Sequence, residues 1–305
     1  VIYDLIALGE TMATFCPPTG VALSESASLA VDHGGAESNT CVGMARLGFR
    51  VAWISKLGAD PSGDRILAAL QKEGLDTQWV SRDPAHPTGL MLKDPVNRRV
   101  RYYRAGSAAS TLRAQDLEGV PVSEARAVLV TGITAQIGAD PQSAAIAMLE
   151  RARGLRVVDP NFRRGLWGSD RRVELVLPLI ERCDLVLAGD QELIEMFGQA
   201  EPEEIARRCA ERGPREVVVR CDNQVGTLRK DTGWTELKIQ TENTPDPMGA
   251  GDAFNAGYLA CSLVGKSTEE TLQFAVHCGR AVATTPGDTA GFPRIQLADS
   301  SQKPK

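Results

Sequence analysis

An α/β fold, with a mostly parallel sheet covered by helices on both faces, is predicted by three features of the sequence. Short runs of β-branched and aliphatic residues recur along the chain, each is followed by a stretch with helical apolar spacing, and glycines stand where helices of that length should stop. With 305 residues, 43% of them hydrophobic, the chain can bury a large core, which excludes scaffolds that depend on disulfides or metals to fold.

Core strands are predicted over 2–8, 51–55, 127–130, 155–158, 185–187 and 217–219, where the apolar runs suit strands buried on both faces. Helices are predicted over 38–47, 63–73, 141–151, 203–212, 251–264 and 268–284. Gly48, Gly74, Gly154 and Gly213 lie just past four of them, where a left-handed stop favours glycine. Segments 11–33 and 87–103 break the rhythm, being poor in helical pattern and rich in Pro, Gly and β-type residues. They read either as a small β lid over the carboxyl ends of the sheet strands, where open α/β sheets bind ligands, or as ordinary surface loops. No internal repeat interrupts residues 1–305, so a single domain is expected, with a polar tail after Arg294.

Charge and cysteine usage narrow the function classes. The 34 basic and 39 acidic residues give a net charge of −5 with no long single-sign run, which argues against a nucleic-acid partner. No apolar stretch approaches the ~20 residues of a membrane span, and the opening VIYDLIALGE lacks a basic region and a small-residue cleavage site. A cytoplasmic protein without a membrane partner is expected. The seven cysteines are scattered without a Cys-x-x-Cys pair, and His33, His86 and His277 are far apart, so neither a disulfide framework nor a zinc site is predicted.

The segment richest in chemistry is 244–258, TPDPMGAGDAFNAGY, in which Gly249-Ala250-Gly251 runs directly into a helix beginning at Asp252. Small residues let the backbone approach a ligand, while the unpaired N–H groups and the dipole of a helix start attract negative charge. Asp252 at that terminus should stay ionised and able to accept a hydroxyl proton. A base beside a phosphate cradle points to phosphoryl transfer to an alcohol; a plain glycine-rich helix entry with Asp252 as cap is the other reading. A second glycine pair, Gly34-Gly35, precedes the helix carrying Asn39. It reads as a tight turn with Ser38 as helix cap, or as a close approach to a polyhydroxylated ligand whose hydroxyls Asn39 meets with both donors and an acceptor.

At these residues the chain resembles the ribokinase family of PfkB-type carbohydrate kinases. The C-terminal signature of that family, Asp-Thr-x-Gly-Ala-Gly-Asp, is matched by Asp246-Pro247-Met248-Gly249-Ala250-Gly251-Asp252, and its N-terminal signature by Gly34-Gly35-Ala36-Glu37-Ser38-Asn39 running through Gly48 to Gly58. Gly58-Ala59-Asp60 with Gly63, and Asp159-Pro160-Asn161-Phe162-Arg163, are further landmarks, so the resemblance covers nearly the whole chain. It implies a ribokinase-like, Rossmann-type three-layer sandwich with a small β lid, ATP as donor, Mg2+ as cofactor, and Asp252 as the base that activates a sugar hydroxyl. Within the family, Leu8-Gly9-Glu10-Thr11-Met12, Tyr102-Tyr103-Arg104-Ala105-Gly106-Ser107-Ala108 and Pro247 are similar to the kinases of 2-keto-3-deoxygluconate, an acid sugar phosphorylated at its terminal hydroxyl.

The resemblance implies a site in which the amides of Gly249, Ala250 and Gly251 receive the moving phosphoryl group. Gly34, Gly35, Asn39, Ile133 and Asp288 would line the sugar, Arg220 and Gly226 the nucleotide, and Glu192 the metal. Tyr102 and Arg104 face one side of a strand and Arg163 ends another, so together they suit a substrate carboxylate; solvated or phosphate-neutralising arginines are the alternative. Asp288 reads equally as a turn aspartate. The chain departs from the family in three places. The usual Asn-x-x-Glu becomes Gly189-Asp190-Gln191-Glu192, the Lys-x-Gly-x-x-Gly turn becomes Arg220-Cys221-Asp222-Asn223-Gln224-Val225-Gly226, and Met91 stands where acid-sugar kinases often carry tyrosine. Competing readings are a fructokinase, ribokinase or other neutral-sugar or nucleoside kinase, and a sugar-binding regulator without catalysis. A homo-oligomer formed through the lid is the remaining partner expectation.

Overall fold

Among the described residues nine strands form one sheet, in which the chain works outwards from its first strand in both directions. The computed structural model describes residues 3–97, 99–162, 173–240 and 248–298. Strands β1 (Leu5–Leu8), β2 (Met12–Cys16), β3 (Ala30–Gly34), β4 (Val51–Gly58), β5 (Val80–Asp83), β6 (Leu90–Asp94) and β7 (Arg99–Tyr103) are followed by β8 (Ala127–Thr131), β9 (Leu155–Asp159), β10 (Leu185–Gly189), β11 (Glu216–Arg220), β12 (Gln224–Arg229) and β13 (Gly233–Lys238). The main sheet has the order β13-β12-β11-β10-β9-β8-β1-β4-β5. It is parallel from β11 to β5, with β12 and β13 added antiparallel at one edge. Since β1 lies between β4 and β8, the connections leave it on opposite sides, and the carboxyl end of β1 is the crevice where such sheets take ligands.

Alternate residues of each strand feed two separate cores, which makes the molecule three-layered. Leu5, Trp53, Leu129 and Val218 pack with α1 (Ala36–Arg46), α2 (Pro61–Lys72), α8 (Ala250–Leu263) and α9 (Thr268–Ala283). On the other face, Ile6, Ile54, Val130 and Val219 pack with α4 (Ala139–Arg151), α5 (Val173–Ile180) and α7 (Pro202–Ala210). Short helices α3 (Gly132–Gln136) and α6 (Asp190–Phe197) open directly from the ends of β8 and β10.

Segments 11–33 and 87–103 do not join the main sheet. They form a second sheet, β3-β2-β6-β7, in which β2 and β6 run parallel and the outer pairs antiparallel. It begins three residues past β1 and therefore lies at the carboxyl ends of the main strands.

Some details differ from the sequence reading. Gly48, Gly74 and Gly213 have positive φ (89°, 87° and 142°), but Gly154 does not. A Cβ there would stand 2.4 Å from the carbonyl oxygens of Ala125 and Arg126, so this glycine serves a close crossing of chains instead of a left-handed stop. Helix α1 starts at Ala36 with Gly35 in the cap position, not at Ser38, whose hydroxyl donates back to the Gly35 carbonyl. The turn read at 220–226 is the connection of the β11–β12 hairpin, its outer residues already paired in the ladder, with Arg220 opposite Val225 and Val219 opposite Gly226.

Candidate active site

Gly249 caps α8 in the left-handed conformation, with φ 78°, and Ala250, Gly251 and Asp252 form the first turn of that helix. A Cβ at Gly249 would lie 2.1 Å from the backbone oxygen of Asp288, so both the dihedral and the contact demand glycine. Asp252 is 6% exposed. Its Oδ2 accepts a 2.8 Å hydrogen bond from Nδ2 of Asn39 on α1, and its backbone oxygen accepts from Thr40. The two glycine motifs, 213 positions apart in the sequence, are thus joined by one hydrogen bond between their polar residues.

Gly34 ends β3, and Gly35 leads into α1. A Cβ on Gly34 would come within 2.2 Å of Asp288 Oδ2, and one on Gly35 within 2.2 Å of the Glu10 carbonyl. Asp288, 6% exposed, therefore sits between Gly34 and Gly249. Its Oδ1 is ion-paired with Lys93 of β6, a buried residue that the sequence reading missed. Met91 and Lys93 are the buried positions of β6 and share one face of the second sheet, but nothing in the sequence distinguishes this lysine from a solvated one.

Arg104 follows β7, and its burial with the half-buried Tyr102, against exposed Arg101 and Tyr103, places the pair on one side as expected. The guanidinium is ion-paired with Glu10, just beyond β1, and Ser107 donates to the other Glu10 oxygen at 2.5 Å. Arg104 is 7% exposed, and its Nε and Nη1 are buried without hydrogen-bond partners among the described residues. Close by, the fully buried Glu37 accepts from the hydroxyls of Thr131 and Thr134, both at 2.7 Å. Burial raises the Glu37 carboxyl above its ordinary range, opposed by those hydroxyls and by the charge of Arg104. Ile133 lies between the two threonines in α3, half-buried. Arg163 lies outside the described residues, as do Asp246 and Pro247.

On the other side of the α8 terminus, Arg220 at the end of β11 donates to the Gly251 carbonyl (3.2 Å) and to Asn255 Oδ1 (2.5 Å), and stacks 5.6 Å above the Phe254 ring. Asp159 and Glu192 approach the same guanidinium at 3.6 and 3.9 Å. Glu192 also caps α6, accepting from the amides of Gly189 (2.7 Å) and Phe162 (3.0 Å). A cleft of about 340 Å³ opens beside this group, lined by Ala250, Gly251, Phe254, Ile239, Val276 and Arg280 among others. Cys221 lines it too, its thiol pushed up to about 12 by burial and by neighbouring aspartates. Gly226 stands apart from this group: in the middle of β12, its missing side chain makes room for the Trp234 ring.

The arrangement joins three pieces of chemistry: a helix start that attracts anions, a buried carboxylate aligned by an amide, and a cleft with one basic and one apolar wall. A model described as pfkB family carbohydrate kinase matches residues 3–295. The 2-dehydro-3-deoxygluconokinase of Bacillus subtilis (strain 168) is 32% identical, the alignment covering 97% of this chain and 94% of that protein. A fructokinase of Escherichia coli is 28% identical over 88% of this chain and 91% of its own length. The crystal structure of a fructokinase from Xylella fastidiosa with bound ATP superposes with a TM-score of 0.85 at 21% identity, covering 95% of each chain, so its likeness is one of fold. Among the described residues no helix is long and apolar enough to cross a membrane. With the family model spanning nearly all of the chain and both glycine motifs meeting at Asp252, the protein belongs to the pfkB family of carbohydrate kinases.

Proposed function

We propose that the chain transfers the γ-phosphoryl group of ATP to the terminal hydroxyl of 2-keto-3-deoxygluconate or a closely similar acid sugar. The observation that carries this reading is the Asn39–Asp252 hydrogen bond at the mouth of the glycine turn. It aligns a buried carboxylate from one motif with the polyol-facing residues of the other. Asp252 takes the hydroxyl proton as the oxygen attacks, and the amides of Gly249, Ala250 and Gly251 meet the charge that spreads over the transferring group. Gly34 and Gly35 make room for Asp288 and for the Glu10 backbone, which leaves Asn39 and Asp288 at the sugar hydroxyls and Ile133 against its carbon face. Arg220 faces the phosphates, and the apolar wall around Ile239 and Val276 suits a base. The second sheet then acts as a lid that excludes water from the activated hydroxyl.

Mg2+ fits the hard oxygen donors of Asp159 and Glu192 beside Arg220, since the ion favours one or two carboxylates together with phosphate oxygens and water. Among the described residues no three metal-ligating side chains converge, which leaves the triphosphate as its main holder. When bound, the ion neutralises charge on the donor phosphates.

The acid-sugar preference is supported by Arg104, whose Nε and Nη1 have no hydrogen-bond partner among the described residues and suit a carboxylate near Tyr102. A neutral sugar is the second reading, and the Glu10–Arg104 pair favours it, because Glu10 already balances the arginine charge. ADP formation measured with 2-keto-3-deoxygluconate, fructose, ribose and an aminoimidazole riboside separates the two. The acid sugar is expected to lead in kcat/KM by about tenfold or more. A lead for fructose or ribose would overturn the acid-sugar assignment, and sugar binding without ADP formation would make the chain a non-catalytic sugar sensor.

A further inference from the structure

Lysine is almost never fully buried without a partner, and an unpaired buried ammonium is costly. Lys93 is 6% exposed on β6 of the second sheet, and Asp288 is 6% exposed in the segment after α9. Their ion pair joins residues 195 positions apart, and it bridges the second sheet to the main body of the molecule. Asp288 is wedged in place on two further sides. Its backbone oxygen fills the space that a Cβ at Gly249 would occupy, and its Oδ2 fills the corresponding space at Gly34. One residue therefore touches the glycine turn through its backbone, and the glycine pair and the second sheet through its carboxylate.

We infer that Lys93 is a positioning residue for sugar binding. Its ammonium holds Oδ1 of Asp288, which turns Oδ2 towards Gly34, where it accepts a hydroxyl of the sugar. The same ammonium balances the Asp288 charge, so that Asp252 is the carboxylate left to act as base near the triphosphate. Because the lysine comes from the second sheet and the aspartate from the main body, Asp288 is set for the sugar only when the sheet is seated over the site. This inference rests on the kinase reading above, and it deepens that reading by naming the residue that makes sugar affinity depend on the lid.

Lys93→Met keeps the length of the stem and removes the charge, Lys93→Arg keeps the charge, and Asp288→Asn removes the acceptor's charge. All three, with the Lys93→Met/Asp288→Asn double variant, are assayed on the sugar that the wild-type chain prefers. Lys93→Met is expected to raise the sugar KM by about 10- to 100-fold while the ATP KM stays within about twofold and kcat changes little. Lys93→Arg should recover most of the loss. The double variant should bind sugar no worse than the weaker single variant, since both changes break one unit. If Lys93→Met fails to fold because Asp288 is left buried and unpaired, the double variant carries the test, and it should fold and show the raised sugar KM. An unchanged sugar KM in Lys93→Met, losses that multiply in the double variant, or an equal rise in the ATP KM would each overturn the inference. A wild-type chain that forms no ADP with any sugar sinks the kinase reading and this inference with it, whereas normal wild-type turnover with an unaffected Lys93→Met sinks the inference alone.

Discussion

Replacing Asp252 by asparagine changes one atom at the centre of the site and leaves its surroundings in place. Asn39 donates to Oδ2 of the native side chain at 2.8 Å, so the amide oxygen of the replacement accepts that bond and its NH2 takes the other position. A carboxylate has only acceptors, whereas this NH2 is a donor and has no lone pair for the sugar hydroxyl proton. A positioned general base is worth about 10²- to 10⁴-fold, or about 3–5 kcal/mol in the barrier, and kcat should fall by that factor. Loss of a negative charge in the first turn of α8 costs about 0.3–1 kcal/mol of stability, equivalent to a fall of only a few degrees in Tm. The assay is coupled ADP release at saturating sugar and ATP, with sugar KM and thermal unfolding measured on the same preparation. Turnover within about threefold of wild type, or a loss confined to the sugar KM, would refute the assignment of Asp252 as base.

Two further outcomes are expected. Gly249→Ala places a Cβ 2.1 Å from the Asp288 oxygen at a φ of 78°, whereas Gly265→Ala at φ 74° meets nothing within 4 Å. The Gly265 variant should lose about 1–2 kcal/mol from the left-handed backbone alone, and the Gly249 variant about 1–3 kcal/mol more with a higher KM for ATP. Equal denaturation midpoints for the two would mean that the Asp288 contact imposes nothing. The second outcome concerns Glu73, which receives a bidentate hydrogen bond from Arg46 at 2.9 and 2.8 Å and a further pair from Arg294. The Arg46 hydrogen bond, helped by the charges of both arginines against partial burial, holds its carboxyl below the usual range. A depressed folded-state pKa stabilises above the unfolded value and is lost as pH falls through the folded one. The stability gap between wild type and Glu73→Gln should therefore be about 1–2 kcal/mol at neutral pH and should close progressively below about pH 4. A gap that is independent of pH in urea titrations would contradict this account.

The order of strands and helices follows from local pattern alone. Runs such as 127–130 and 217–219 are apolar throughout because both faces of the main sheet are covered, and that continuity is visible without knowing any partner. The chemistry of the glycine turn was equally legible: the need for small residues before a helix start, and the value of a carboxylate there, are properties of consecutive residues. Asn39 and Asp252 were both recognisable as candidate site residues, each from its own motif. Their hydrogen bond depends on how α1 and α8 pack, and periodicity does not encode that.

Other roles were decided by tertiary structure. Gly154 and Gly226 are glycines because another chain segment or a Trp234 ring comes close, and no dihedral or turn signal marks such contacts. Arg104 reads as a surface charge or a ligand until Glu10, 94 positions earlier, is found against it. Lys93 looks like an ordinary strand lysine until Asp288 arrives beside it from after the last helix. Sequence by itself determined the layers, the glycine-rich helix start and the candidate base, because each rests on spacing along the chain. The structure alone decided which buried charges neutralise one another, because that balance is set by distances between residues that folding brings together and local order does not record.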